Sequence, residues 1–205
     1  MATQAQPEFL EATYGSVCRS TRCDEKRRRT LESVVHLAVE LAREGREGRK
    51  VGTLFVIGDV DNVLAQSRSL LLDPLYGHSE DLLHVERPEF RETVKELSQL
   101  DGAFLVRDDG TFVSAGRYVD VEVGAAENFL PGLGTRHAAA ASVSRQTNAI
   151  AVVVSQSSVV RVFANGQVRA EIIPELFLMS KDGLFASRAD VRQVPEAGVT
   201  LAVAD

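Results

Sequence analysis

The residues best suited to chemistry in this sequence open a short helix. Residues 130–134 (LPGLG) rule out regular structure, Thr135 is a favourable N-cap, and Ala138–Ala141 favour a helix. A helix start carries unpaired N–H groups and about half a positive charge, so Arg136 and His137 in its first turn form a site suited to an anion. Two basic residues are unfavourable there unless a ligand such as a polyphosphate neutralises them.

A second stretch, residues 100–103 (LDGA), is expected to face the first. Each stretch is weak evidence alone, because DGA is a common turn tripeptide and GTRH at 134–137 is only a helix start. Separated by a predicted hairpin and a glycine-broken loop, the two become more specific together. The sequence has no GxxxxGK[ST], GxGxxG, HExxH or GxSxG signature, so the common phosphate-loop, dinucleotide, metalloprotease and hydrolase motifs are excluded.

The elements that must position these stretches are of both types. Apolar residues recur at helical spacing over 31–42, and Pro88 begins a helix that leads to the LDGA stretch. The apolar runs Val51–Ile57 and Ala149–Val154 predict strands buried on both sides, and Asn165-Gly166 is the strongest hairpin signal. The pattern predicts an α/β fold with a mixed central β-sheet flanked by helices on both faces.

Composition narrows the classes of function. The chain of 205 residues suits one domain with appendages, and its net charge of −6 argues against a general nucleic-acid binder. No apolar run approaches the roughly 20 residues of a membrane span, and the first residues do not form a signal peptide. Cys18 and Cys23 do not form a CxxC pair, so they are expected to be free thiols in a reducing compartment. These features predict a cytoplasmic protein.

Two other groups of residues suggest a metal. Asp59 and Asp61 follow a predicted strand, and His78 and His84 lie in a long connection. Aspartate is ordinary in a turn after a strand, and the histidines have no matching third ligand. We therefore expect turn residues in the first case and surface residues in the second.

Longer stretches around both motifs resemble the diadenylate cyclase (DAC) domain. This domain occurs in the DNA-integrity scanning protein and in bacterial and archaeal cyclic di-AMP synthases, and its hallmarks are DGA and GTRHR motifs. The stretches that resemble it are residues 100–118 (LDGAFLVRDDGTFVSAGRY), 130–147 (LPGLGTRHAAAASVSRQT) and 151–163 (AVVVSQSSVVRVF). The likeness covers about residues 30–172. It implies a lead-in over 1–29, a DAC domain over 30–178, and a C-terminal extension or edge strand over 179–205.

The resemblance implies a reaction. Two ATP molecules would condense to cyclic di-3′,5′-AMP with release of two pyrophosphates, dependent on Mn²⁺ or Mg²⁺. Each active site would bind one ATP, and two sites would face each other across a head-to-head dimer. Such a reaction needs a negative group at the attacking hydroxyl and cations that offset the phosphate charge.

The resemblance also assigns roles to individual residues. Asp101 corresponds to the acid at the hydroxyl and to the metal ligand, and Arg136 and His137 are its catalytic partners at the triphosphate. The remaining substrate-binding residues are expected to be Gly102 and Ala103 for close backbone approach, Gly134 and Thr135 at the triphosphate, Tyr118 beside the adenine, and Ser155 on the other side. For Tyr118 a core aromatic is an equal alternative. Gln156 occupies a region where some family members have an acid, so a second protein carboxylate on the metal is not expected.

One residue departs from the family pattern. The third position of the RHR motif is Ala138 here, which removes a charge-assisted phosphate contact worth about 1.5 to 3 kcal/mol. Another cation compensates, or the chain is a weak cyclase, or it is a catalytically silent nucleotide-binding module.

A DNA-linked sensor, like the multidomain members of the family, is a further hypothesis. It is disfavoured because the roughly 30 residues that follow the domain are too few for additional helical and DNA-binding parts.

Overall fold

The computed structural model describes most of the chain and has a mixed β-sheet at its centre. The described residues are 14, 15, 17–19, 21, 23–120, 134–175 and 177, together with the backbone of 189–194 and 199–204. Residues 130–133, for which an irregular segment was predicted, lie outside this set.

Seven strands form the central sheet. They are β1 (Thr53–Ile57), β2 (Ser67–Ser69), β3 (Ala103–Val106), β4 (Phe112–Val119), β5 (Ile150–Val154), β6 (Val160–Ala164) and β7 (Gln167–Ile172). Their spatial order is β2-β4-β3-β1-β5-β6-β7. Strands β1 and β3 are parallel, and the other neighbouring pairs are antiparallel. Two further strands, β8 (Ala189–Val194) and β9 (Val199–Ala204), pair with each other in a separate antiparallel hairpin.

Strand β1 lies at the centre of the sheet, and all five of its residues are buried. Phe55 pairs with Phe104 on one side and with Val152 on the other. The rings of Phe55 and Phe104 are stacked with centroids 5.1 Å apart. The central, doubly covered strand predicted from the run Val51–Ile57 is therefore confirmed.

Helices cover both faces of the sheet. The main helices are α1 (Glu25–Glu44), α2 (Val60–Ala65), α3 (Pro88–Leu97) and α4 (Thr135–Gln146), with a 3₁₀ helix at Glu80–Leu82. Residues of α1 and α3 pack with Phe55 and Ile57 in one hydrophobic cluster, whereas residues of α2 and α4 pack with Leu54 and Val56 in a second. Because alternate residues of a strand point to opposite faces, the two clusters lie on the two sides of the sheet. This arrangement confirms the predicted fold class.

Local signals explain where these elements begin and end. The Asp24 side chain caps α1 by accepting from the Arg27 backbone N–H at 2.8 Å, and Pro88 occupies the first turn of α3. Asn165 and Gly166 both have positive φ, as a two-residue hairpin turn requires, and they join β6 to β7. Within the described part of the chain, none of the helices combines the length and the hydropathy that a bilayer crossing would need.

The two cysteines differ from the prediction of free thiols. Cys18 and Cys23 are joined by a disulfide, with Cα atoms 4.5 Å apart. The reason is local, since the backbone N–H of Cys23 donates to the Cys18 carbonyl at 3.3 Å and the chain turns back on itself there. This return before α1 brings the two sulfurs together.

An ion-pair network joins α1 to α3, the helix that leads to Asp101. Lys95 on α3 is 5% exposed, and its Nζ lies 2.9 Å from Glu40 Oε2 and 2.8 Å from Glu92 Oε1. Burial opposes the charge of Lys95, but its hydrogen bonds to Glu92 and Glu40 outweigh that effect and raise its pKa. Burial likewise opposes ionisation of Glu40, whose pKa is nevertheless lowered by Lys95 and Arg91.

Replacing Lys95 with Met should destabilise the protein at pH 7 by about 1 to 3 kcal/mol, because Glu40 loses a partner in a half-buried setting. The lowered pKa of Glu40 means that its contribution is present above the unfolded pKa and is lost as pH falls through the folded pKa. The cost of the substitution should therefore shrink at about pH 3.5, as measured by urea unfolding at both pH values. Lys26→Met, which removes an exposed pair with Asp109, should cost less than about 0.5 kcal/mol. An equal cost of Lys95→Met at the two pH values would contradict this account.

Candidate active site

The LDGA and GTRH stretches meet at one edge of the central sheet. Strands β1 and β3 begin at this edge, since Leu54 pairs with Ala103, and β5 ends there, since Thr53 pairs with Val154. Strand β4 also ends there, because Arg117 pairs with Ala103. We call this the site edge. It brings together the residues just before β1 and β3 and those just after β5.

Asp101 and Arg136 face each other at the site edge. Arg136 Nη2 lies 3.6 Å from Asp101 Oδ1, although 35 residues separate the two along the chain. The Asp101 side chain is 94% exposed and that of Arg136 is 35% exposed. An ion pair this open to water contributes little to stability. The carboxylate is therefore free to interact with a ligand while a guanidinium lies beside it.

Gly52, immediately before β1, lies against the Arg136 side chain. A methyl group at residue 52 would be 3.1 Å from Arg136 Nη1, 3.3 Å from Gln156 Cγ and 3.5 Å from the Val154 carbonyl oxygen. The absence of a side chain at this position gives the guanidinium room at the site edge. From the sequence, Gly52 is only part of an apolar run. The strand predicted from that run is the one sequence signal that indicates where Gly52 lies.

The start of α4 differs by one residue from the prediction. Gly134, with an extended backbone, is the N-cap, and Thr135 is the first helical residue rather than the N-cap. The reason is that the Gly134 carbonyl accepts from the backbone N–H groups of His137 at 3.0 Å and Ala138 at 3.3 Å. Gly134 has no side chain that could cap this helix start, and no side chain of the described residues caps it. A helix start of this kind can meet an anion through its first N–H groups.

His137 lies between α4 and the sheet rather than in the open part of the site. It is 6% exposed, its ring meets Phe163 edge-on, and its Nε2 is 3.2 Å from Arg161 Nη1. Burial, followed by the charge of Arg161, lowers the pKa of His137, with Glu171 opposing the shift. The first-turn histidine is thus neutral at pH 7 and does not add to the positive charge that was predicted for this helix start.

The backbone around Gly102 is tightly packed against β4. Gly102 has a φ of 104°, and a methyl group there would lie 3.0 Å from Leu70 Cδ1 and 3.1 Å from the Arg117 backbone nitrogen. Ala103 is 2% exposed and its side chain belongs to the core cluster on the α4 side of the sheet. Glycine at 102 is therefore required by the backbone conformation and by this contact. Only the backbone of Ala103 is left to approach a nucleotide.

Tyr118 is not a core aromatic. It is 45% exposed near the end of β4, and the Arg68 guanidinium carbon lies 4.4 Å from its ring centroid. Its neighbour Arg117 donates to the Ser69 hydroxyl at 2.6 Å and to the Ser67 carbonyl at 2.7 Å, which ties β2 to β4. The arrangement leaves an aromatic surface at the site edge on which a base can stack.

Ser155 closes β5 at the same edge. Its hydroxyl lies 2.8 Å from the Ser157 hydroxyl and accepts from the Ser157 backbone N–H at 3.2 Å. Gln156 follows it and packs near Gly52. These residues form the side of the site edge opposite to Tyr118, because β5 and β4 lie on opposite sides of the β1–β3 pair.

Among the described residues at the site edge, Asp101 is the candidate metal ligand. The described residues contain no group of three or more His, Cys, Asp or Glu side chains placed to hold a metal ion. Asp59, in the turn after β1, accepts from the Asn62 side chain and from the Asn148 backbone N–H. His84, for which a surface position was expected, is partly buried, and its Nε2 lies 2.6 Å from the Asp109 carbonyl oxygen. Asp101 is exposed beside the cationic side chain of Arg136. One carboxylate together with substrate phosphates is a donor set that suits Mg²⁺.

Comparison with known proteins shows which family the chain is similar to. The family model described as DAC, DisA bacterial checkpoint controller nucleotide-binding, matches residues 40–168. A diadenylate cyclase of Methanocaldococcus jannaschii is 47% identical over 160 residues, which cover 78% of this chain and 50% of that protein. A diadenylate cyclase of Haloferax volcanii is 38% identical over 149 residues, which cover 72% of this chain and 54% of that protein. The chain thus spans about half the length of the curated relatives it matches.

Among solved structures, the chain is similar to a double mutant of DacA from Staphylococcus aureus. The TM-score is 0.48 with 22% identity, over 77% of this chain and 97% of that one. The family match covers more than half of the present sequence. This chain belongs to the DAC family, as the resemblance in its motifs predicted.

Replacing Gly52 with Ala should weaken nucleotide binding, probed with ATP, about three- to ten-fold, because the new methyl group forces the Arg136 guanidinium to move. The dissociation constant can be measured by calorimetry, with a thermal melt to show that the fold is retained. Unchanged ATP affinity in a folded Gly52→Ala protein would show that the position of Arg136 does not matter for the nucleotide.

Proposed function

We propose that this chain is a diadenylate cyclase domain that condenses two ATP molecules into cyclic di-3′,5′-AMP and two pyrophosphates. The observation that carries the proposal is the placement of Asp101 within 3.6 Å of Arg136 at the site edge. Membership of the DAC family and the names of the two relatives support it. We place the reaction in the cytoplasm, where ATP is available.

The chemistry follows from the charges at the site edge. The 3′-oxygen of one ATP forms a bond to the α-phosphorus of the other, and the bond from that phosphorus to the bridging oxygen of the leaving pyrophosphate breaks. Asp101, exposed at this edge, is the group that orients the 3′-hydroxyl and takes its proton. Arg136 and the first N–H groups of α4 offset the negative charge that moves onto the leaving group. Repetition of the step on the second ATP closes the ring.

The reaction calls for a divalent metal, and the residues present fit one. Asp101 is the side chain that would hold Mn²⁺ or Mg²⁺, with the remaining ligands supplied by the triphosphate and water. When bound, such an ion neutralises phosphate charge and makes the 3′-hydroxyl more acidic. Gln156 is an amide, so the chain does not offer a second carboxylate in that place.

Two copies of the chain must cooperate in this reaction. Each site binds one ATP, and each 3′-hydroxyl must reach the α-phosphate held by the other site, so two site edges face each other in a head-to-head homodimer. The open position of Asp101, whose side chain is 94% exposed, suits a ligand approached by a second copy.

A second function is supported by two specific observations. Ala138 lacks the guanidinium of the family motif, and His137 is buried and neutral, so α4 contributes one permanent cation, Arg136, in its first turn. A site with less positive charge binds a triphosphate less tightly and stabilises the transition state less. The alternative is a nucleotide-binding regulatory module that is weak or silent in catalysis.

Purified protein incubated with ATP and either Mn²⁺ or Mg²⁺ should form cyclic di-AMP, detected by mass spectrometry. Replacing Asp101 with Asn should lower the rate by about 100-fold or more, because the amide cannot take the proton from the hydroxyl. The matched control is Asp61→Asn, an exposed carboxylate on α2, which should keep the wild-type rate. ATP binding without any product over a range of metals and protein concentrations would reject the cyclase and support the silent module.

Dilution should lower the rate per chain, because product formation requires two facing sites. The rate at saturating ATP should fall once the protein concentration is below the dimer dissociation constant found by analytical ultracentrifugation. A rate per chain that stays constant in samples shown to be monomeric would contradict the facing-site arrangement.

A further inference from the structure

Arg161 on β6 is a charged residue beside the start of α4 that the proposed mechanism does not use. Its side chain is 15% exposed and lies on the face of the sheet that α4 covers, as does Phe163 two residues later. Its Nη1 lies 3.2 Å from His137 Nε2, and its Nε donates to Glu171 Oε1 on the neighbouring strand. Arg161 and Glu171 are direct cross-strand partners in the register of β6 and β7.

The contact between Arg161 and His137 defines the state of the histidine. A guanidinium can only donate, so His137 Nε2 must accept, and the ring proton is on Nδ1. Where the start of α4 packs against the sheet, the positive charge is therefore on Arg161 and not on His137. It lies within one hydrogen bond of a residue in the first turn of α4.

We propose that Arg161 is a positioning residue of the candidate site, which adds a second permanent positive charge to that of Arg136 beside the triphosphate and holds His137 with Nε2 as acceptor. This inference rests on the proposed function for the identity of the ligand, a nucleoside triphosphate. Arg161 thereby provides a charge that Ala138 cannot. The chain compensates from the sheet for a cation that is missing from the helix.

Glu171 offsets part of the positive charge of Arg161. Its side chain is 52% exposed, so it shares the guanidinium from the solvent side while His137 holds it from the helix side. Of the described charged groups, Arg161 and Glu171 are those that act on the His137 ring. The neighbouring positions of β1 and β5 on the α4 face are apolar, namely Leu54, Val56, Ala151 and Val153.

The test breaks the same ion pair from its two sides and measures ATP binding with Mg²⁺ by calorimetry. Arg161→Gln should weaken ATP binding about ten-fold or more, because it removes the cation and leaves Glu171 uncompensated. Arg161→Lys, which keeps the charge, should retain most of the affinity. Glu171→Gln should leave affinity unchanged or increase it, since it frees the cation. Arg169→Gln on β7 is the matched control and should change affinity less than about two-fold.

A purely structural ion pair predicts a different pattern. In that case Arg161→Gln and Glu171→Gln would weaken binding alike, in step with their melting temperatures, and that result would overturn the proposal. Wild-type ATP affinity in a folded Arg161→Gln protein would also overturn it.

NMR titration of His137, without ATP or metal, is a second readout that needs no catalysis. Its resonance is assigned by comparison with His137→Gln, because the chain has four histidines. Arg161→Gln should raise the pKa of His137 by removing a nearby cation, whereas Glu171→Gln should lower it further. An unchanged pKa in both variants would refute the contact. If the wild type shows no cyclase activity but the variants give these binding and titration results, the proposed function is rejected and the role of Arg161 in nucleotide binding is retained.

Discussion

The register of strand β1 with its two neighbours is the constraint on which the candidate site depends. The parallel pairing with β3 places the residues before both strands at one edge, and the antiparallel pairing with β5 brings the end of β5 to the same edge. Asp101, Gly52 and Ser155 therefore converge although they are distant in the chain. A shift of one residue in either pairing would move every side chain of that strand to the other face and would dissolve the arrangement.

The site combines exposed and buried charge in an acidic chain. The net charge of −6 belongs to the whole surface, whereas Arg136, Arg117, Arg68 and Arg161 gather around one edge of the sheet. Arg136 lies beside the Asp101 carboxylate and Arg68 beside the Tyr118 ring, and a phosphorylated ligand can replace or supplement these two partners. A local concentration of guanidinium groups suits a small polyanion better than a long nucleic acid, which needs a broad basic surface.

Sequence reasoning was most successful where a signal is local or strongly periodic. The run Val51–Ile57 predicted the buried central strand, Pro88 the start of α3, and Asn165-Gly166 the β6–β7 hairpin, because each depends on residues next to one another. It was wrong by one residue at the N-cap of α4, since glycine can cap through its backbone without any side-chain signal. It was also wrong about the cysteines, because the return of the chain at Cys23 has no marker in the sequence. The contact between His137 and Arg161 could not be predicted, because it depends on helix-to-sheet packing across 24 residues.

The central claim is that the residues before β1, the residues before β3 and the start of α4 line a single nucleotide pocket. The most direct measurement is an NMR titration of the labelled protein with ATP, in which the backbone amides of Gly52, Gly102 and Arg136 are followed together. The account predicts that all three resonances shift and that their curves fit one dissociation constant. Shifts confined to one of the three, or three different dissociation constants, would contradict it.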